Sequence, residues 1–560
     1  MIAAKGDVNF ILRIFNGSFF LATGKKMSIF AQNKKIITMP RFIDSGNLGF
    51  QSIINTGFVD KSGLLNILNK NMDTDNRFMC ISRPRRFGKS VAALMAYAYY
   101  DRSSDSKPWF EGLEITKSPD FEKHLNKYPT IYIDWNTFAN VPDKNKLKEA
   151  QQQIIENLKI LYPILEERYD LSKALKEINQ KTGDRFILLI DEWDMLVRDV
   201  DKDVQDDYVN FLRAMFKSND AKDIFRLVYM TGILPIIKIR TQSALNNFVE
   251  YSIIDPGVTS KYYGFTEKEV RAICKEHKMN FTLMKHAYDG YIIGDQKSMF
   301  NPYSVMMSIH FRNYVSHWSK TASFMAIETY LHIDADNVRS KVINMLSGGS
   351  ETVQVSSFRN DMKNIETSDD VLTLLAHLGY LCYDPKTQSV RIPNTEVSEE
   401  FCNAVRMTGW NELSRATGRS LQLLDDTVNL RKEKVARAFD DYHFEASSIL
   451  EFNDENSMRC AIIMAYSAAK PFYNIFSELP TGKGFADLVF VPLPRSPRPA
   501  IVVELKYDKT ADSAIDQIRR KNYPKSLKGF SKRIILCGIN YNKATSKHEV
   551  EMEVLDGARD

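Results

Sequence analysis

Ser82-Arg83-Pro84-Arg85-Arg86-Phe87-Gly88-Lys89-Ser90 follows an apolar run, Phe78-Met79-Cys80-Ile81, and precedes a helix-like run from Val91 to Tyr100. Strand, loop ending in Gly-Lys-Ser, then helix is the layout of a phosphate-binding P-loop. In such a loop, backbone N–H groups wrap a polyphosphate and the helix N-terminus adds the positive end of its dipole. The pattern assigns Arg85, Arg86, Phe87 and Gly88 to the wrap, Lys89 to the β- and γ-phosphates, and the Ser90 hydroxyl to Mg²⁺. The match is incomplete, because the pattern wants glycine five residues before Gly88 and Arg83 stands there. Taken alone, the stretch reads equally well as a basic loop before a helix.

Two downstream strands decide between these readings. Arg185-Phe186-Ile187-Leu188-Leu189-Ile190 runs into Asp191-Glu192-Trp193-Asp194 about 100 residues later. Five consecutive apolar residues argue a strand buried on both faces, as in a parallel sheet. Ligands of such sheets sit at the carboxyl ends of the strands. Asp191 is therefore placed for the Mg²⁺ shell and Glu192 for orienting or deprotonating water. A further strand, Phe225 to Met230, ends in Thr231-Gly232, where Thr231 is placed to sense a γ-phosphate. A lone strand ending in Asp-Glu is common; the order of the three signals points to a nucleotide. Arg226 and Arg240 are the nearest arginines for completing such a site, and neither is assigned.

With 560 residues, the chain has room for two to four domains. Hydrophobic content of 44% and charged content of 26% are those of a globular protein. A net charge of +5 gives no global basic field, so any nucleic-acid site must be local. Cys80, Cys274, Cys382, Cys402, Cys460 and Cys537 form no CxxC pair, which favours a reducing compartment over a zinc site or disulfide framework. Val8 to Thr23 is apolar but interrupted by Arg13 and Asn16, and too short for a membrane span. It is a poor signal peptide; residues 1–39 read as a loosely attached extension, with Met27 and Met39 as alternative starts. The expectation is a cytoplasmic protein without a membrane segment.

Between these signals lie a helix from Gly63 to Lys70, a strand from Pro129 to Trp135, and a long helical stretch, Lys146 to Gln180, divided at Pro163. Asp60-Lys61 reads as an exposed turn or an early nucleotide contact. From Tyr262 the chain turns helical, with Tyr288-Asp289-Gly290-Tyr291 and Phe300-Asn301-Pro302-Tyr303-Ser304 as turn-rich punctuation. Val371 to Leu378, Tyr380 to Tyr383 and Val390 to Ile392 read as helix, strand, strand, a winged-helix-like pattern. Val397 to Asp440 reads as a charged helical connector.

The last 120 residues carry a second constellation. A helix from Glu451 to Lys470, with Glu455 near its start, precedes a strand from Phe472 to Glu478 and a turn from Leu479 to Gly484. Ala486 to Val491 and Ala500 to Lys506 read as strands joined by the proline-rich Pro492 to Pro499. A hairpin centred on that loop puts Asp487 opposite Glu504, with Cβ atoms roughly 5 Å apart. Glu504 and Lys506 share a strand face. Two carboxylates hold a divalent cation that polarises a phosphodiester and activates water, and the lysine assists that water and offsets charge. A lone Glu-x-Lys triplet is more often a solvated strand face. A helix from Ala511 to Lys521 and a strand from Arg533 to Cys537 complete an αβββαβ order, with Gln517, Arg520 and Tyr523 available for phosphate contacts.

Together the two constellations resemble the bacterial family of predicted AAA-ATPase-like proteins with a C-terminal PD-(D/E)xK nuclease-like domain. The resemblance is carried by Phe58-Val59-Asp60-Lys61-Ser62-Gly63, Arg83 to Ser90, Leu189 to Asp194, Glu478 to Asp487 and Glu504-Leu505-Lys506. It implies that Arg83 belongs to the family's own form of the P-loop and that Asp60 and Lys61 lie by the nucleotide. It also implies that Asp487, Glu504 and Lys506 match the nuclease motif, with Glu455 as its helical metal-ligating glutamate and Gln517 in its following helix.

The expected fold is α/β. It comprises an extension (1–39), a P-loop NTPase parallel sheet with helices (40–260), a helical and winged-helix-like lid (261–400), a helical connector (401–440) and a restriction-endonuclease-like αβββαβ domain (441–560). The expected function is an ATP-binding and ATP-hydrolysing protein coupled to a Mg²⁺-dependent nuclease-like domain acting on nucleic acid, with DNA the favoured partner. A homo-oligomer through the ATPase domain fits the same reading. The alternative is a nucleotide-switched signalling or interaction ATPase whose C-terminal domain binds nucleic acid or protein without cleavage.

Overall fold

β1 (Phe78–Ser82), β2 (Thr130–Asp134), β3 (Phe186–Asp191), β4 (Phe225–Gly232) and β5 (Val249–Tyr251) form one sheet in the order β2-β3-β4-β1-β5. Every pairing in it is parallel. The computed structural model describes residues 41–556, except 44, 166–169, 199, 237–244, 319–337, 347, 357, 359–364, 366, 408–418, most of 447–471, 482–483, 494–495, 522–526, 528–530 and 532. The N-terminal extension and Arg240 therefore lie outside the described residues.

The run of apolar residues in β3 has its physical reason in the two layers that cover the sheet. Leu188 and Ile190 face Ile154, Leu175 and Leu212 of helices Asp143–Leu161, Leu171–Thr182 and Lys202–Phe216. Ile187 and Leu189 face the opposite layer, which includes Ala93, Ala96 and Tyr100 of the P-loop helix Lys89–Tyr100. Alternation puts successive side chains on opposite faces, so a strand covered twice has no polar phase. Pro163 lies between the first two helices of the first layer.

The middle of the chain departs from the turn-rich expectation. Phe265–Thr266 (β6), Tyr291–Ile293 (β7) and Gln296–Phe300 (β8) form a small antiparallel sheet, with Gly294-Asp295 as the hairpin turn between β7 and β8. Tyr291 and Phe300, expected as punctuation, are thus buried strand residues. Asn301 caps helix Pro302–Phe311 by accepting from the Tyr303 and Ser304 N–H groups. Further on, β9 (Glu351–Thr352), helix Ser368–Leu378, β10 (Cys382–Asp384) and β11 (Ser389–Arg391) give a helix beside a three-stranded sheet ordered β10-β11-β9.

The C-terminal sheet contains β12 (Tyr473–Thr481), β13 (Gly484–Pro492), β14 (Ala500–Tyr507), β15 (Arg533–Asn542) and β16 (Lys547–Asp556) in that order. β14 and β15 are parallel, connected through helix Ala511–Arg520, and the other pairings are antiparallel. β16 is an additional edge strand beyond the expected αβββαβ set. The expected turn from Leu479 to Gly484 is largely strand, which continues to Thr481 and resumes at Gly484.

Pro40–Asp560 forms one compact unit. An apolar cluster runs from Ile233 and Leu234, just past β4, through Trp318 and Leu375 to Phe490 and Val503 of the C-terminal sheet. Among the described residues, no helix is long and apolar enough to cross a membrane.

Arg83 is where the fold explains the missing glycine. Its side chain is fully buried and lies over the Tyr263 ring at 5.1 Å. It donates to the Tyr251 carbonyl at 2.7 Å, the Ser82 carbonyl at 3.0 Å and the Thr259 hydroxyl at 2.8 Å. It ties the loop to β5 and to the segment after it, and burial pushes its pKa down to about 10. Arg83→Gly, which restores the common P-loop pattern, is expected to destabilise the fold by at least ~2 kcal/mol, because it leaves a cavity and unpaired acceptors. Urea unfolding followed by tryptophan fluorescence measures this; an unchanged midpoint would show that the arginine contributes no net stability.

Candidate functional sites

The first site gathers at the carboxyl ends of β1, β3 and β4. β4 lies between β1 and β3, so Thr231 stands between the loop after β1 and the carboxylates after β3. Gly88 caps the P-loop helix with φ +87°, a left-handed conformation that side chains rarely adopt. A Cβ there would meet nothing within 4 Å, so backbone conformation rather than space requires the glycine. The first N–H groups of the helix have no intrahelical acceptors. Lys89 is buried, and its Nζ donates to the carbonyls of Arg83 at 3.0 Å and Pro84 at 2.9 Å. Burial lowers its pKa, opposed by the charges of Glu192, Asp191 and Asp194.

Asp191 is 1% exposed and accepts from the Thr231 hydroxyl and from Ser90. Burial raises its pKa despite those bonds. Ser90 and Asp191 thus already adjoin one another, an oxygen pair suited to a hard divalent cation. Glu192 follows with φ +54°, and its Oε2 accepts from Arg198 at 3.0 Å. Burial raises its pKa too. Asp194 is fully buried and accepts from the backbone N–H groups of Ile233 at 3.1 Å and Leu234 at 2.9 Å.

A cavity of about 380 Å³ opens beside the loop. One part is apolar, with Ile53, Phe58, Met95, Tyr262, Tyr303 and Met306; the other presents Lys61, Gly88, Lys89, Ser90 and Glu192. An apolar chamber ending in backbone donors, a lysine and a cation-binding oxygen pair fits a nucleoside polyphosphate.

The remaining loop residues divide. Phe87 is buried edge-on against Tyr291, with ring centroids 5.1 Å apart. Arg86, at φ +69°, lies over Tyr303 at 4.1 Å and donates to the His317 carbonyl at 3.0 Å. Arg85 is half-buried. Lys61 lines the cavity while donating to Glu269 at 2.7 Å and to the Lys261 carbonyl at 2.9 Å. Asp60 does not line the cavity. Its oxygens accept from the N–H groups of Ser62 at 2.8 Å and Glu114 at 2.7 Å. Arg226 is paired with Asp73 and starts β4, at the opposite end from the loop. Arg198 and Asp194 had no role in the sequence-based site; the third acidic residue of Asp191-Glu192-Trp193-Asp194 was their only signal.

The second site lies on β13 and β14. Pairing of Leu488 with Val503 and Val489 with Val502 continues to put Asp487 opposite Glu504. The Leu505 N–H donates to Asp487 Oδ2 at 2.8 Å. Glu504 is 2% exposed; its Oε1 accepts from Lys506 Nζ at 3.2 Å and from Gln517. Its Oε2 is buried without a hydrogen-bond partner among the described residues. Lys506 Nζ also donates to the Leu505 carbonyl at 2.8 Å. Burial, then the charge of Asp487, pushes the Glu504 carboxyl up to about 7, against the pull of Lys506 and Lys521. An orphaned carboxylate oxygen beside a second carboxylate is the kind of electrostatic environment that a divalent cation satisfies.

Gln517 reaches Glu504 because helix Ala511–Arg520 lies close to the sheet. Gly538 pairs with Glu504 across β14 and β15, and a Cβ there would stand 2.4 Å from the Ala511 carbonyl oxygen. That glycine is a site determinant which sequence reasoning missed; its only signal was a glycine inside an apolar strand. Arg520 is exposed on the same helix. Glu455 and Tyr523 lie outside the described residues. No cluster of three metal-ligating side chains occurs among the described residues.

Comparisons with known proteins match the chain in two separate stretches. Residues 46–241 match the family described as predicted AAA-ATPase, and residues 453–551 match the PD-(D/E)XK nuclease superfamily. No curated protein matches the chain. Among solved structures, a Walker-type ATPase of Pyrococcus abyssi is 13% identical, with TM-score 0.30, covering 61% of this chain and 94% of its own. The Aeropyrum pernix ORC2 protein, in ADPNP–ADP complexes, is 11% identical with TM-score 0.31, covering 64% and 98%. The chain thus joins a parallel-sheet α/β stretch that matches the predicted AAA-ATPase family model to a C-terminal mixed-sheet stretch that matches the PD-(D/E)XK nuclease superfamily model.

Proposed function

We propose that the protein is an ATPase coupled to a metal-dependent nuclease, acting on DNA in the cytoplasm. The observation that carries the nuclease half is the buried Oε2 of Glu504, without a hydrogen-bond partner among the described residues and flanked by Asp487 and Lys506. A buried carboxylate beside a half-buried one is costly to keep without a cation or substrate to offset the charge. Magnesium bound there supplies Lewis-acid polarisation of a phosphodiester and a more acidic water. Asp487 and Glu504 would hold the ion, Lys506 would orient the attacking water, and Gln517 fixes the Glu504 carboxylate. Arg520 is available to the nucleic-acid backbone.

In the nucleotide half, ATP would occupy the apolar chamber with its phosphates at Gly88, Lys89 and Ser90. Ser90 and Asp191 would hold Mg²⁺, Thr231 would orient Asp191, and Glu192 would take the proton of the attacking water. Phosphoryl transfer relies mostly on such positioning and charge stabilisation. The domain division at 40–260 and 261–400 follows this reading. Helix Lys432–Ala446 packs on β16, where Asp440 accepts from the His548 N–H at 2.8 Å, a contact between the connector (401–440) and the C-terminal domain (441–560) of this reading. Assembly into a homo-oligomer through the ATPase domain belongs to the same proposal.

The coupling route is supported by contacts on both sides of the lid. Glu396, on helix Thr395–Met407, accepts from the Ser304 hydroxyl at 2.7 Å and the His317 N–H at 2.8 Å, beside Arg86 of the loop. The same helix reaches β12. Leu283, on helix Phe281–Tyr288, packs with Phe476 and Val489 of the C-terminal sheet.

ATP turnover by the full chain is expected to fall by roughly 100-fold or more in both Lys89→Ala and Glu192→Gln, as measured by phosphate release; turnover that survives both variants locates the site elsewhere. Supercoiled plasmid should be nicked with Mg²⁺ and ATP, and Lys506→Ala should abolish the nicking. Absence of nicking, or nicking indifferent to Lys506→Ala, favours the non-cleaving alternative.

A further expectation concerns pH. The Glu504 carboxyl titrates near 7 in the fold against an ordinary value of 4.5. A raised native pKa means that the folded state binds the proton more tightly, so its contribution to stability is complete below about 4.5 and is lost as pH rises through 7. Glu504→Gln is therefore expected to raise stability by ~1–3 kcal/mol at pH 8 and to change it little at pH 4. Mg²⁺ should stabilise the wild type at pH 8 but not this variant. A variant less stable than wild type at pH 8 in metal-free urea titrations would contradict this.

A further inference from the structure

We infer that Arg198 is a positioning residue that orients Glu192 toward the nucleotide cavity. The inference rests on the reading of Glu192 as the base of ATP hydrolysis. It identifies an arginine for the site that the sequence pattern alone could not assign.

Three other described arginines near the loop are engaged elsewhere, and Arg85, in the loop itself, is half-buried. Arg83 is buried among Tyr251, Thr259 and Tyr263, Arg86 lies on Tyr303, and Arg226 is at the far end of its strand. Arg198 has a different set of neighbours. Its Nε lies 3.0 Å from Asp194 Oδ2, and its terminal nitrogen donates to Glu192 Oε2 at 3.0 Å. The guanidinium thus bridges the two carboxylates on either side of Trp193.

These contacts form an ordered chain. Asp194 is the fixed end, fully buried and held by the N–H groups of Ile233 and Leu234. It forms an ion pair with one edge of the Arg198 fork, and the other edge donates a hydrogen bond to Glu192. Glu192 needs such an anchor because its backbone is left-handed, between the end of β3 and a short 3₁₀ turn, so no regular element sets its side-chain direction. Arg198 takes one Glu192 oxygen and leaves the other on a residue that lines the cavity. A base held at one atom by an orienting group, with another atom available for the reacting proton, is a recurrent catalytic arrangement. A planar guanidinium can bridge two carboxylates at fixed angles, whereas a lysine ammonium is a single point of charge.

The test is a double-mutant cycle in the full chain. Arg198→Met is expected to lower kcat for ATP on the order of 10- to 100-fold, with KM within about twofold of wild type, because orientation and not binding is lost. Arg198→Lys should recover part of that loss. Affinity for a non-hydrolysable ATP analogue, measured by calorimetry, should stay within about twofold in both. In the Glu192→Gln background, Arg198→Met should cost no further turnover, since it acts through a carboxylate already removed. If Arg198→Met does not fold, Arg198→Lys keeps a charge against Asp194 and carries the same cycle. A loss that multiplies in the Glu192→Gln background, or an unchanged or increased kcat, overturns the inference while leaving Glu192 as the base. Turnover indifferent to Glu192→Gln alone overturns the parent reading, and this inference with it.

Discussion

The nucleotide end of the molecule depends on how a short basic loop is held from outside. A phosphate-wrapping loop is usually tightened by glycines that let its own backbone close on itself. Here Arg83 is drawn inward onto Tyr251, Thr259 and Tyr263, and Phe87 is buried against Tyr291. Arg86 lies on Tyr303. The loop is thus shaped by a backbone carbonyl of β5 and by side chains of the segments following the parallel sheet. Its conformation and that of the middle region are therefore one physical problem, which supports a role in communication as well as in binding.

That dependence also explains what could be read from the chain and what could not. The β3 strand was legible because a doubly covered strand leaves no polar phase, and Asp191-Glu192 ends it abruptly. The opposition of Asp487 and Glu504 was legible because centring the hairpin on the proline-rich loop gives the register that β13 and β14 adopt. Tyr291 and Phe300 were misread as punctuation. Strands of three and five residues beside Gly, Asn and Pro have no periodicity to distinguish them from turns. Asp60 was assigned to the nucleotide by resemblance; its bonds to the N–H groups of Ser62 and of Glu114, 54 residues on, are contacts that no motif specifies. Gly538 and Arg198 act through tertiary closeness alone, and a single sequence carries almost no trace of that.

At the C-terminal site, the sheet places charge where burial alone would not favour it. Val502 and Leu536 pack on one side of the helix that delivers Gln517, while Glu504 and Lys506 continue the same strand face into a buried polar pocket. Proteins commonly sacrifice stability at such places for function. Glu396 is a second buried acid on the route between the two sites, pushed up to about 8 mainly by burial. Glu396 lies between Ser304 and His317, near Arg86 of the loop, whereas Glu504 lies within the C-terminal domain beside Lys506 and Gln517.

The most direct test of this joined architecture is hydrogen–deuterium exchange of the full chain with and without a non-hydrolysable ATP analogue and Mg²⁺. The account predicts altered protection in three places: the loop at 83–90, helix Thr395–Met407, and the β12–β13 hairpin that carries Asp487. Protection that changes only in the loop and the cavity lining, and stops before helix Thr395–Met407, would contradict it.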